Sequence, residues 1–211
     1  MVIPPVYRGH TGNAARRLRQ DQCGTSLIEL MLAMSLNLLI LASVGSVFIS
    51  GQKLITDKGK QLLLMQELSG ALRYIKDDIR RAGYIPDQDS SLMQKGTHHV
   101  VQTGTQMLSY VYHNADGQYE QVAVKENVNS DRQKVLGLCI NTQSSLPHIS
   151  DCSRYFSLLD QSRVRLTELQ IESVASVTAQ PLIRIRLSAE LSEEHGVRRT
   201  LSVSVQPRNG S

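Results

Sequence analysis

Residues 23–30 read Cys23-Gly24-Thr25-Ser26-Leu27-Ile28-Glu29-Leu30, and residues 31–50 continue MLAMSLNLLILASVGSVFIS. From Leu30 to Gln52 the chain carries no charged residue over 23 positions. At ~1.5 Å rise per residue a helix of that length spans about 35 Å, enough to cross a hydrocarbon core of ~30 Å. It exceeds the ~7–15-residue apolar core of a secretory signal, and no A-x-A cleavage site follows it. A single carboxylate, Glu29, stands at its front edge. An ionisable group within a membrane helix costs on the order of 3 kcal/mol. The dipole of the first helical turn favours an anion there. That explains an interfacial acid, but not the glycine and small residues in front of it.

Cleavage after Gly24 makes sense of the whole pattern. Thr25 becomes a new N-terminus with a positive amine. Glu29 is then the fifth residue, four on from that amine and on the same helix face. In a bundle of such helices the carboxylate of one subunit neutralises the amine of the next. A lipoprotein signal at Cys23 is excluded by composition: Arg19-Gln20-Asp21-Gln22 is polar where a lipobox is small or apolar, and the apolar run follows the cysteine. An uncleaved signal anchor is the plain alternative.

Charge supports the same topology. Of the formal +4, a net +3 precedes Gly24, from Arg8, Arg16, Arg17 and Arg19 against Asp21. Cations on that side place residues 1–24 in the cytoplasm, and everything beyond about Lys53 outside, which in a bacterium is the periplasm. The remaining chain is nearly neutral, so the pI near 9.0 is no argument for nucleic-acid binding. At 211 residues and 41% apolar, the chain has room for one domain plus an extra element. Cys139 and Cys152 enclose a short loop. In a reducing compartment they are two thiols. In an oxidising one they form a disulfide contributing roughly 3 kcal/mol, and export favours the second reading.

Leu62, Met65, Leu68, Leu72, Ile75, Ile79 and Ala82 recur at helical spacing, which predicts an amphipathic continuation of the helix, with Asp77, Asp78 and their neighbours mostly off the apolar face. Gly83 suits its C-cap, Pro86 lies just beyond, and Gly51 and Gly59 mark an expected bend. Leu108, Tyr110 and Tyr112, then Asn114-Ala115-Asp116-Gly117, then Val122 and Val124 predict a hairpin. Three more alternating strands centre on Ile171, Ile185 and Val203, giving a sheet with one apolar and one wet face, where Arg184 and Arg186 are solvated. Residues 86–98 and 141–153 read as irregular. Asn114, Asp116 and Glu120 lack EF-loop spacing for calcium and read as a solvated turn. His98 and His99, adjacent in a strand, would point apart.

The Gly24-Thr25-Ser26-Leu27-Ile28-Glu29 stretch with its apolar run resembles the class III signal of type IV pilins and type II secretion pseudopilins. The resemblance implies that prepilin peptidase cuts after Gly24 and N-methylates Thr25, and that Glu29 guides subunit docking. Thr25 is a departure, since the family usually carries Phe there. Residues Met65 to Tyr84, with Asp78-Ile79-Arg80-Arg81-Ala82-Gly83-Tyr84, are similar to the minor pilin family that includes PilW and prepilin peptidase-dependent protein B, and Pro207-Arg208-Asn209 resembles its Arg-Asn ending. The implied fold is α+β, a pilin-like ladle: leader 1–24, membrane half of the helix 25–52, amphipathic half 53–84, and a periplasmic β-rich domain 85–211 on an antiparallel sheet.

The implied function is that of a minor pilin, a structural subunit rather than an enzyme, which primes or supports type IV pilus assembly. Its partners would be prepilin peptidase, other minor pilins, the major pilin and the inner membrane. No cofactor, metal or nucleic acid is expected. A type II secretion pseudopilin is the near alternative. A membrane-anchored periplasmic enzyme is the distant one, because no nucleophile elbow, His-x-x-x-His, Cys-x-x-Cys or phosphate loop is present.

Overall fold

The computed structural model describes residues 26–86, 90–174, 181–192 and 196–209. Helix α1 runs Leu27–Ile79, followed by strands β1 Val101–Thr103, β2 Met107–His113, β3 Tyr119–Val128 and β4 Lys134–Gln143. A 3-10 turn at Ile149–Asp151 leads to β5 Phe156–Ser157, β6 Val164–Val174, β7 Leu182–Leu191 and β8 Arg198–Val205. The architecture is α+β. The chain divides into two compact units between Gly51 and Gln52, and α1 contributes to both. Neither Gly51 nor Gly59, where a bend was expected, interrupts the helix.

In the first unit α1 is apolar and exposed on every side; only Gly45 and Gly51 are partly covered. In the second unit Leu64, Leu68, Ala71, Leu72, Ile75 and Ile79 of α1 are buried. This face differs from the expected stripe at its start, where Leu62 is 64% and Met65 42% exposed. At 100° per residue a step of three falls 60° short of a turn. Two such steps in succession set Leu62 about 120° away from Leu68, whereas Leu64 is only about 40° away.

That face packs on two antiparallel sheets, ordered β1-β2-β3-β4-β5 and β6-β7-β8. The expected hairpin is β2–β3, with Tyr110 opposite Val122 and Leu108 opposite Val124. The three C-terminal strands form their own sheet, with Ile171 opposite Ile185 and Ile185 opposite Val203. Leu169, Ile171, Ile183, Ile185 and Leu187 point into the core shared with α1 and the first sheet. The other face is wet: Arg184 pairs with Glu172 at 3.9 Å, and Arg186 donates to Gln170 at 3.4 Å.

The first sheet is covered on both faces. Its second face carries Ser109, Ala123 and Cys139 in one cross-strand row. The disulfide Cys139–Cys152 staples the following loop over that face, where Ala123, both cysteines and Tyr155 form a separate small cluster. Polar contacts tie the loop down: Gln121 Nε2 donates to the His148 carbonyl at 2.7 Å, and the Lys95 amide to the Pro147 carbonyl at 2.9 Å. Residues 141–143, expected to be irregular, complete β4. His98 and His99 lie exposed in a bend rather than a strand.

Candidate functional site

Two places in the molecule are candidate sites. The first is the start of α1. Glu29 sits in the first turn of the helix, where its amide donates to the Ser26 carbonyl at 2.8 Å. Leu27 and Ile28 beside it are 76% and 75% exposed. Gly24 and Thr25 lie outside the described residues, as do Cys23 and the leader arginines. Beyond Glu29 the helix is long and apolar enough to cross a membrane. A water-soluble surface rarely shows a contiguous apolar patch above a few hundred Å², which makes this helix a candidate for membrane anchoring.

The second is the far end of α1. After Ile79 a turn carries the chain to Gly83, whose φ of +79° lies in the left-handed region that favours glycine. Its amide donates to the Val111 carbonyl and its carbonyl accepts from the Leu92 amide, both at 2.9 Å. A Cβ on Gly83 would stand 2.5 Å from the Asn209 carbonyl oxygen and 2.7 Å from Val100 Cγ1. The Asn209 side chain donates its Nδ2 to the Ala82 carbonyl at 3.2 Å and to that of Arg81 at 3.4 Å. Both carbonyls lie in the turn just past the end of α1, and that of Arg81 also accepts the Tyr84 amide at 3.0 Å. The Arg81-Ala82-Gly83-Tyr84 and Pro207-Arg208-Asn209 segments, far apart in sequence, therefore meet at one joint.

Beside this joint lies a carboxyl–phenol cluster. Asp78 is 7% exposed. Tyr110 Oη donates to Asp78 Oδ2 at 2.6 Å. Tyr112 Oη lies 2.6 Å from Glu120 Oε1 and 3.4 Å from Asp78 Oδ1. Having one proton, it serves the nearer acid. The Arg81 guanidinium lies 3.8 Å from Asp78 through Nε and 6.0 Å above the Tyr112 ring. Burial pushes the Asp78 carboxyl above its ordinary range, against the Tyr110 hydrogen bond and the Arg81 charge. Burial foremost, with the neighbouring acids, also raises both tyrosines. The cluster ties α1 to β2 and β3, and an open cleft of about 410 Å³ borders it, lined by Arg81, Tyr84, Tyr112, His113, Glu120 and Arg208 among others.

Asp78 was expected off the apolar face. Its position three residues after Ile75 puts it on that face, and the acid is tolerated there because two phenols and a guanidinium surround it. The Asn114 side-chain carbonyl accepts the amides of Asp116 and Gln118 at 3.0 and 2.9 Å, and Glu120 is engaged with Tyr112. Among the described residues no cluster of three His, Cys, Asp or Glu is arranged to hold a metal.

A family model described as prepilin peptidase-dependent protein B, PpdB, matches residues 57–207. The chain belongs to this family. No curated protein and no solved structure matches it. The PpdB match begins within α1 and runs past β8. It therefore rests on the packed unit and owes nothing to the Gly24–Glu29 stretch, so two separate parts of the chain point to a prepilin peptidase-dependent, pilin-related protein. It takes in Asp78, Gly83, Tyr110, Tyr112 and both bridged cysteines, and stops two residues short of Asn209.

Proposed function

We propose that the chain is a minor pilin. Prepilin peptidase removes residues 1–24 by cutting between Gly24 and Thr25, and methylates the Thr25 amine. Residues 25–52 hold the subunit in the inner membrane and later enter the filament core, with the β-rich unit in the periplasm. Glu29 docks the subunit by pairing with the N-terminal amine of a neighbour, and together with other minor pilins the protein primes or supports assembly of the major pilin. The observation that carries this reading is a single helix, α1, that is apolar and exposed over its first half and packed into a PpdB-family unit over its second. Such a helix suits a subunit that waits in lipid and then exchanges lipid for other helices. The disulfide is in keeping with an oxidising compartment.

N-terminal mass spectrometry on protein from cells with active prepilin peptidase tests the reading. A mature start at Thr25 is expected, and finding residues 1–24 intact would refute it. Glu29→Ala should be processed normally yet be depleted from filaments. Undiminished incorporation would remove Glu29 from the docking role.

A further inference from the structure

Between Leu30 and Gly51 the one side-chain amide is Asn37. It is exposed, and among the described residues it has no hydrogen-bond partner. Three of the four hydroxyls in the same run behave differently. Ser35, Ser43 and Ser50 each donate to a carbonyl of their own helix, at 2.8, 2.8 and 2.9 Å, so they need nothing from a neighbour. Asn37 lies seven residues past Leu30, about 10 Å into the apolar run at ~1.5 Å per residue. Lysine or arginine at that depth can extend to the interface, whereas asparagine is too short. In hydrocarbon an unpaired amide is strongly disfavoured, and a second helix is the remaining source of a partner.

The docking register indicates which helix. If Glu29 stands level with the N-terminal amine of a neighbour, the two helices are offset by four residues. Asn37, thirteenth from Thr25, then faces the neighbour's ninth residue. If the neighbour's own glutamate reaches the Thr25 amine instead, Asn37 faces its seventeenth residue. In a second copy of this chain those positions are Ala33 and Leu41, flanked by Leu32, Met34, Ile40 and Ala42. None of these side chains offers more than the weak thioether acceptor of Met34.

Building on the minor-pilin reading, we propose that Asn37 hydrogen-bonds to a polar side chain on the apolar helix of a different pilin-type subunit, and thereby selects that subunit over a second copy of this chain. The partner carries a hydroxyl, amide or acid at or next to the ninth or seventeenth residue of its processed helix.

The test uses the full chain in its native membrane, with a benzophenone amino acid at Leu41, one turn from Asn37. The background is otherwise wild type, Asn37→Leu or Asn37→Gln. N-terminal mass and carbonate extraction confirm processing and insertion of each variant. The expected result is a photo-adduct to a different subunit, linked within its apolar helix. It should fall about 3- to 20-fold in Asn37→Leu, the range that interhelical hydrogen bonds contribute in membranes, and be largely kept in Asn37→Gln. An adduct only to a second copy, no adduct, or an undiminished adduct in correctly processed Asn37→Leu overturns the proposal and leaves the minor-pilin reading standing. Retention of residues 1–24 in the wild-type background refutes the minor-pilin reading itself, and the partner assignment with it.

Discussion

Replacing Gly83 by alanine should be among the most damaging single-methyl changes in the packed unit. Its cost divides into two parts. The first is conformational: at φ +79° an L side chain pays about 1–2 kcal/mol. The second is steric. The new Cβ would sit 2.5 Å from the Asn209 carbonyl oxygen and 2.7 Å from Val100 Cγ1. Relief requires moving backbone, and forced overpacking typically costs about 1–3 kcal/mol. Moving Asn209 also draws its amide away from the Arg81 and Ala82 carbonyls, each such hydrogen bond being worth about 1 kcal/mol. The sum is about 4–7 kcal/mol, a large share of the ~5–15 kcal/mol that domains possess.

Gly96 and Gly117 supply the control. They have φ of +80° and +72°, and a Cβ at either would meet nothing within 4 Å. Gly96→Ala and Gly117→Ala should show the conformational cost alone, about 1–2 kcal/mol. Urea denaturation of the full chain in detergent micelles, followed by circular dichroism, separates the two cases. With a urea dependence of ~1–3 kcal/mol per molar, the Gly83→Ala midpoint should fall about 1 M or more below that of Gly96→Ala. Coincident midpoints for the two variants would refute the close approach of Asn209 to the helix end.

Three other outcomes are expected. Leu68→Ala should cost about 2–5 kcal/mol, as fully buried leucines do, and Leu62→Ala under about 0.5 kcal/mol, as exposed ones do; equal losses in the same urea assay would restore the other stripe. Asp78 binds its proton more tightly folded than unfolded, so its contribution to stability is complete at low pH and declines as pH rises from about 4 through its raised folded value. Asp160 runs the opposite way, because the Ser162 hydroxyl and amide hold its carboxyl below the ordinary range. A stability–pH curve for Asp78→Asn should therefore lack the wild-type decline above pH 4, and parallel curves would discount the cluster. Replacing both Cys139 and Cys152 by serine should cost roughly 3 kcal/mol and speed hydrogen exchange at the Lys95 amide, which the stapled loop protects; exchange unchanged at Lys95 would show that the loop holds without the staple.

The strands that could be read from sequence are those with one dry and one wet face. β6, β7 and β8 alternate because solvent lies on one side, and β2 and β3 are marked by the Asn114–Gly117 turn between them. β4 was missed because Leu136, Gly137, Leu138 and Cys139 are buried in succession, leaving no period of two to detect. β1 and β5, at three and two residues, are too short to carry a pattern. The helix stripe was right from Leu68 onward and wrong before it, since letter spacing tolerates a drift that geometry does not. At the candidate site, Glu29 was conspicuous as a charge beside an apolar run. Asp78 was not, because it sits among Asp77, Arg80 and Arg81, and what distinguishes it are two tyrosines more than thirty residues away. Asn37 needed no fold to be noticed, only the question of what satisfies an amide in lipid.

The joint at Asn209 has a consequence for the order of events during synthesis. The helix end it closes is 127 and 128 residues earlier in the chain. While the intervening strands are emerging, the Arg81 and Ala82 carbonyls lack this cap and the space above Gly83 is open. Closure of so long a loop is slow compared with forming the helix itself. The packed unit is thus a late-locking fold, with a nascent chain whose long helix is made first and fastened last.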